Sequence, residues 1–312
     1  MSREKVFCHI VCVALVDNGG SKTDILKFLS MEKALKEHRD YFMMCDMVWT
    51  VDENTFDKNF KKIKKLKLLG DVARPLDFSN LWYFESDTFN EPVEDFKNLK
   101  HFECVRFNQK VKSFGRLKYF ICSDFNQPVS SFGNLTHFQC WDFNQSVSNF
   151  GNLKHFHCTY YNKPVSSFGN LKHFQSYYFN QPVSSFGNLI HFTCCKFDQP
   201  VTSFGNLKHF LSSEFNQTIS SFGNLTHFIC SRYNQPVSNF GSLTYFDCYY
   251  FNQPVSSFGN LKHFKCYSYD QPISSFGNLT HFECNNFSHP VSSFGNLTHF
   301  KCAYNQTNLM HF

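Results

Sequence analysis

The chain has 312 residues, a formal net charge of +5 and 42% hydrophobic residues, with 41 Phe against 3 Trp. No run of 18 apolar residues occurs, which argues against a membrane-spanning helix. The charge is mild for this length, and its one dense basic run, Lys61–Lys67, does not by itself demand a polyanionic partner.

Taken in chain order, Val6–Val16 is a short apolar run behind Arg3 and Lys5, loosely like a secretory signal. It contains His9 and two Cys, and no clean small-x-small cleavage site follows, so the reading is cytoplasmic, with secretion as the minority alternative. Residues 21–49 read as helical. Ser21 or Thr23 caps a short helix with Ile25, Phe28 and Leu29 on one face, and Ser30 caps a second carrying Ala34, Leu35, Tyr41 and Phe42. Met44–Trp49 closes the segment, and residues 1–55 are taken as a small α-helical N-terminal unit. Next, Phe60, Ile63, Leu66 and Leu68 fall one period before Phe78, Leu81, Phe84 and Ser86, with lysines between them. Residues 56–77 therefore read as a degenerate, charged capping coil.

From Leu81 to Leu297 a leucine returns every 18 residues in the unit L-x-H-F-x-C-x-x-F-N-Q-P-V-S-S-F-G-N, about thirteen copies over residues 78–312. A strict short period is the mark of a solenoid whose coils bury their apolar sides against each other. In the coil beginning at Leu135, Leu135, Phe138 and Cys140 take the L-x-x-L-x-L spacing that opens a leucine-rich repeat. Phe138 and Cys140 share one strand face, while His137 and Gln139 take the other. Phe143, and residues equivalent to Val129 and Phe132, complete six inward side chains per coil, and Gly133 suits a position with φ > 0. An 18-residue coil has no room for an outer α-helix. A three-sided hexapeptide β-helix would need apolar residues where Ser123, Trp141 and Thr159 stand, and is rejected. The expected fold is a mainly β, right-handed, leucine-rich-repeat-like solenoid with one parallel sheet, roughly 60 Å long at ~4.8 Å per coil.

Ten of the fourteen Cys recur at the slot of Cys140, and Ser176 and Ser212 replace it in two coils. That pattern fits small buried side chains better than disulfides, whose geometry suits in-register neighbours poorly. Asn144 is expected to be buried inside the bend, forming a ladder with its equivalents along the coils. At the far end Leu309–Phe312 restarts the strand pattern early, so the last strand is expected to be exposed and open to end-to-end contact.

The outward row of His137, His155, His173, His191 and their equivalents is expected to stack about 4.8 Å apart and to resist protonation. It reads as a ladder sealing the sheet face. Metal binding by His155 and His157 beside His137 and His173 is the sharper alternative, but no carboxylate is compelled there, and no metal or cofactor is expected. Variable outward positions carry Trp141, His155, His157, Tyr177, Tyr178, Tyr249, Tyr250 and Tyr267, residue types that anchor protein interfaces. These are the expected partner-binding residues; simple covering of neighbouring coils is the competing reading. A nucleic-acid partner is not expected, because clustered Arg and Lys do not surround the aromatics. No phosphate loop, HExxH or CxxC occurs, and many equivalent copies argue against one activated nucleophile, so neither enzyme activity nor a small-molecule substrate is expected.

The stretch "DILKFLS…ALKEH…CDMVW" resembles an F-box through Ile25, Leu26, Leu29, Leu35, Cys45 and Trp49, although the opening Leu-Pro is missing and Cys45 to Trp49 is one residue too long. The solenoid resembles FNIP repeats, a leucine-rich-repeat variant, through Phe125–Pro128 and Phe251–Pro254, and also the "FNQP" repeats of bacterial surface-type proteins, with a shorter unit than either. F-box plus FNIP architecture belongs to amoebae and the giant DNA viruses that infect them. The resemblance implies a substrate-recruiting subunit of a cullin-type ubiquitin ligase, with Ile25, Leu26, Leu29, Leu35 and Trp49 docking the adaptor and the exposed sheet face selecting a protein target. A structural component of a particle or surface layer, assembling through its solenoid, is the alternative.

Overall fold

A computed structural model of the chain describes residues 48–51, 63–71, 76–93, 95–291 and 293–302. Among these, short strands alternate with turns and extended segments to build one continuous parallel sheet. It opens with β1 (Val48–Val51), β2 (Lys65–Leu68) and β3 (Tyr83–Ser86), and then runs one strand per coil from β4 (His101–Cys104) to β15 (His299–Cys302). Strand order follows chain order throughout. Register is locked to the repeat: His137 pairs with His155, Phe138 with Phe156 and Cys140 with Cys158. A one-residue slip would throw the whole apolar set to the solvent face, so this alternation is what pins the register.

Each coil buries what its pattern demands. Leu135, Phe138, Cys140, Phe143 and Phe150 are buried, and Val147 packs against them half-buried. Three columns of rings run along the solenoid. Phe138 stacks on Phe156 at 5.7 Å, Phe143 on Tyr161 at 6.1 Å and Phe132 on Phe150 at 6.2 Å. Between columns the rings meet edge to face, as Phe138 does with Phe143 at 4.9 Å. Such pairs add ~0.5–1.5 kcal/mol each to the burial itself, which favours rings over aliphatic side chains in these slots.

The Cys slot is more specific than small size alone. Cys140 Sγ donates to the Phe125 carbonyl of the preceding coil at 3.0 Å, Ser176 Oγ to Tyr161 at 2.9 Å and Ser212 Oγ to Phe197 at 2.8 Å. Burial pushes the Cys140 and Cys194 thiols up to about 12, so they keep the proton they donate. Among the described residues no cysteine forms a disulfide.

The Asn ladder forms, but at a half-exposed corner rather than inside the bend. Asn126 Oδ1 accepts the Asn144 amide at 3.0 Å and the Gln145 side-chain amide at 2.9 Å, while Asn126 itself stays partly in solvent. The interior beside it is filled by the Phe columns, which leave no space for an amide side chain. On the outer wall, Leu135 donates to Phe132 across the Phe-Gly-Asn-Leu turn at 3.0 Å. Gly133 sits there at φ 53, a conformation that costs an L-residue roughly 1–2 kcal/mol. The wall otherwise stays extended, with a single 3₁₀ turn at Phe78–Asn80 among the described residues.

At the N-terminal end, Ile63, Leu66 and Leu68 are buried and β2 joins the sheet. Trp49, read from sequence as the last residue of the helical segment, lies in β1 in register with Leu66. The β-branched run Val48, Thr50 and Val51 suits a strand, which accounts for the difference. The expected helices and Phe60 lie outside the described residues, as does the strand restart at Leu309–Phe312. β15 is the least buried strand of the repeat array, with Phe300 only half-covered.

Candidate functional site

Alternation along each strand leaves two outward positions per coil on the sheet face. The first forms a near-continuous pile of rings. His137, His155, His173, His191, His209 and His227 stack in order at 4.2–4.4 Å between centroids. Tyr119 precedes them at 4.4 Å, and Tyr245 follows at 5.5 Å. A threonine before the histidine sets the tautomer where it occurs. Thr136 Oγ1 donates its one proton to the Lys118 carbonyl at 3.1 Å, so His137 Nδ1, 3.0 Å away, donates to the hydroxyl. The same triad recurs at Thr226–His227, Thr280–His281 and Thr298–His299. Burial, aided by neighbouring imidazoles, holds His137, His173 and His209 below the usual imidazole range. His157 is lowered by burial alone. His137, His173 and His209 therefore favour the neutral form at neutral pH.

The second outward position divides the face in three. At the N-terminal end Lys67 pairs with Glu85, and His101 Nε2 lies 3.3 Å from Glu103. At the C-terminal end Lys265 lies 3.7 Å from Asp247, and Lys301 lies 2.7 Å from Glu283. Between them, from Ile121 through Gln139, His157, Gln175, Thr193 and Leu211 to Ile229, seven consecutive coils carry no Lys, Arg, Asp or Glu at this position. The central window is therefore an uncharged platform of half-buried rings, amides and aliphatics, flanked by internally neutralised ends.

Where each strand ends, the exposed aromatics gather into two clusters. Tyr160 stacks on Tyr178 at 5.2 Å and Tyr177 meets Tyr178 edge-on at 4.8 Å. Trp141 stands in the preceding coil, 58% exposed. Tyr249 stacks on Tyr267 at 4.3 Å and meets Tyr250 edge-on at 4.7 Å. Between the clusters Glu214 is bridged by Lys196 at 2.6 Å and Arg232 at 3.5 Å, beside a shallow depression shared with Asp198, Asn216 and Tyr250. The structure thus brings Tyr177 with Tyr178, and Tyr249 and Tyr250 with Tyr267. It sets His155 and His157 on the sheet face, at the edge of which Trp141 stands.

Ile25, Leu26, Leu29 and Leu35 lie outside the described residues, and Trp49 is on β1. Among the described residues no group of three or more His, Cys, Asp or Glu is placed to hold a metal ion, and no helix is long and apolar enough to cross a membrane. Sequence reading passed over the tautomer-setting threonines and the charge-free window. The signals were present: Thr directly before His in "LTHF", and a run of uncharged residues two positions after it.

No protein-family model matches the chain, and no curated protein matches it. Among solved structures it superposes with a TM-score of 0.66 on "CroV588", described as a novel circular leucine-rich-repeat protein structure. The identity is 20%, and the match covers 78% of this chain and 46% of the other. The chain thus spans less than half of that protein, and at this identity the likeness is one of fold: a leucine-rich-repeat-like parallel solenoid.

Proposed function

We propose that the chain is a protein-interaction scaffold that receives an uncharged, extended protein segment on the central window of its sheet face. The observation that carries this reading is the seven-coil run without charge between two self-neutralised ends. A neutral platform of rings and amides repels charged segments by desolvation and accepts apolar ones, and Tyr and Trp at its edge are the usual anchors of such interfaces. Repeat folds of this class typically serve as scaffolds and present surfaces of this length. His155, His157, Trp141, Tyr177, Tyr178, Tyr249, Tyr250 and Tyr267 are the contact residues in this reading. The test uses a partner captured by the wild-type chain and then purified. Replacement of Gln139, His157 and Gln175 by Glu lowers retention at least about tenfold, whereas equal retention overturns the assignment.

The finer reading makes the scaffold the target-selecting subunit of a cullin-type ubiquitin ligase. It is supported by the F-box-like spacing of Ile25, Leu26, Leu29, Leu35 and Trp49 and by the Phe-Asn-Gln-Pro wording of the repeats, which resembles that of FNIP repeats. In this reading residues 1–55 bind the adaptor, residues 56–77 cap the solenoid and residues 78–312 choose the target, in host or cell cytoplasm. Pull-down with the adaptor decides it: Leu26→Asp/Leu29→Asp abolishes recovery if the reading holds, and unchanged recovery rules it out. The structural-component reading is supported by the unbroken parallel sheet.

A further inference from the structure

The two long flanks of the solenoid carry different chemistry. On the flank where each strand begins, the residue before the His slot is Lys118, Lys154, Lys172, Lys208 or Lys262, or an uncharged Thr or Ile. From the third leucine coil onward this flank has no carboxylate. Lys118, Lys172 and Lys208 each rest their ammonium on the carbonyl of the Asn that closes their own 18-residue unit, at 3.2–3.3 Å, which aligns their charges along one line. The opposite flank, where strands end, holds the aromatic clusters, Asp124, Asp142, Glu214 and Asp270.

The two flanks complement each other coil by coil. In the coil that offers Lys118 at one side, Asp124 stands at the other; Lys154 is matched by Tyr160, and Lys172 by Tyr177 and Tyr178. Lys208 is matched by Glu214, and Lys262 by Tyr267. Where the strand-end flank is itself cationic, at Lys196 and Arg232, the strand-start flank switches to Ile190 and Thr226. Lys100 opposite Arg106 departs from the pattern, as does Asp142, which stands opposite Thr136 rather than a lysine.

From this matching we infer that the partner of the strand-end flank is a second copy of the chain, lying parallel, in register, with its lysine flank against the aromatic one. The inference rests on the reading of the edge aromatics as interface residues and reassigns them to the second copy, which leaves His155 and His157 on the open sheet face to the bound segment. Exposed ion pairs alone supply little. Lysines laid over exposed Tyr rings add cation–π attraction, and the flank, roughly 50 Å long, repeats the contact coil after coil. Because the contact is heterologous and related by translation, it does not close: copies add side by side into open rows.

Sedimentation velocity of the full chain at about 50 mM and about 500 mM salt tests this, since screening weakens such contacts. The expected result is a concentration-dependent rise of at least about twofold in average mass at low salt, absent at high salt. Two flank variants are then compared: Lys118→Glu/Lys154→Glu/Lys172→Glu and Asp124→Lys/Asp142→Lys/Tyr178→Lys. Each alone is expected to stay monomeric with an unchanged circular dichroism spectrum, and an equimolar mixture to assemble again. A wild type that remains monomeric at low salt overturns the inference, as does assembly that persists in both single variants. Retention of monomers on immobilised nucleic acid through the lysine flank, without self-association, overturns it as well. None of these failures touches the sheet-face reading, which is scored by partner retention in the Gln139, His157 and Gln175 variant.

Discussion

The first coils and the middle of the solenoid share a core and differ almost everywhere else. Phe84 and Phe96 are as completely buried as Phe156 and Phe168. Yet in the early coils Ser86 accepts from the Phe89 amide, Lys97 occupies the glycine position at φ 45, and the sheet face is charged. Lys65 there lies over the Trp82 ring at 4.4 Å, and Tyr83 donates to Glu85 at 2.8 Å. In the middle coils the thiols donate backwards, every turn has Gly, and the face is neutral. The lesson is that the inward slots are set by packing between neighbours, whereas the outward and turn slots are free to drift until a surface needs them.

Removing one ring from the middle and one from the end has the largest expected effect. Phe192→Ala in a fully buried column is expected to cost ~3–5 kcal/mol, because neighbouring coils cannot collapse into the gap. Phe300→Ala, in the half-covered last strand, is expected to cost about half as much or less. Urea denaturation of both variants measures the difference, and equal losses contradict a core built from nearest-neighbour contacts. Next in size is the turn. Gly187 has nothing within 4 Å of an added Cβ, so Gly187→Ala isolates the conformational cost at ~1–2 kcal/mol. Lys97→Gly runs the other way: it relieves a non-glycine φ of 45 and forfeits an exposed 3.0 Å pair with Asp77, for a net gain of about 0.5 kcal/mol. The two substitutions must shift the denaturation midpoint in opposite directions.

Much of this was legible in the sequence because the repeat averages away local ambiguity. One coil read alone leaves Phe138 and Cys140 open to several folds; the same pair returning every 18 residues admits one register and one inward face. The glycine turn, the His pile and the reduced cysteines follow from the same period. Three features were harder to see. The Cys slot reads as small, and its role as a donor emerges only when Ser176 and Ser212 are seen reaching the same carbonyl. The Asn was expected inside because leucine-rich repeats bury it, but a third ring per coil fills that volume here. Matching between opposite flanks lies six positions apart in sequence, on two sides of a body, and no periodicity argument compares one side with the other.

Smaller effects separate rows that look equivalent. Tyr161, Tyr233 and Tyr269 replace Phe in one core column, and their hydroxyls are buried without a partner. An unpaired buried hydroxyl costs more than it contributes, so Tyr233→Phe is expected to raise stability by ~1 kcal/mol, and an unchanged midpoint would mean that a water reaches the group.

The mildest prediction concerns pH and pits the His pile against the ring columns beneath it. Burial and mutual repulsion keep His137, His173, His191 and His209 below the ordinary value of 6.5 in the folded chain. The unfolded chain therefore binds more protons as pH falls past 6.5, and stability must rise with pH across that window. The contribution is complete above about pH 6.5 and is lost progressively below it, levelling off once the folded imidazoles also titrate. Each ring is still partly solvated, so screening keeps the share of any one small. Replacing His137, His173 and His191 together by Gln should flatten the slope of midpoint against pH between about 6.5 and 5, while leaving the cost of Phe192→Ala unaltered. A slope that survives this triple replacement would place the acid sensitivity elsewhere, and would separate the outer row from the energetics of the fold it covers.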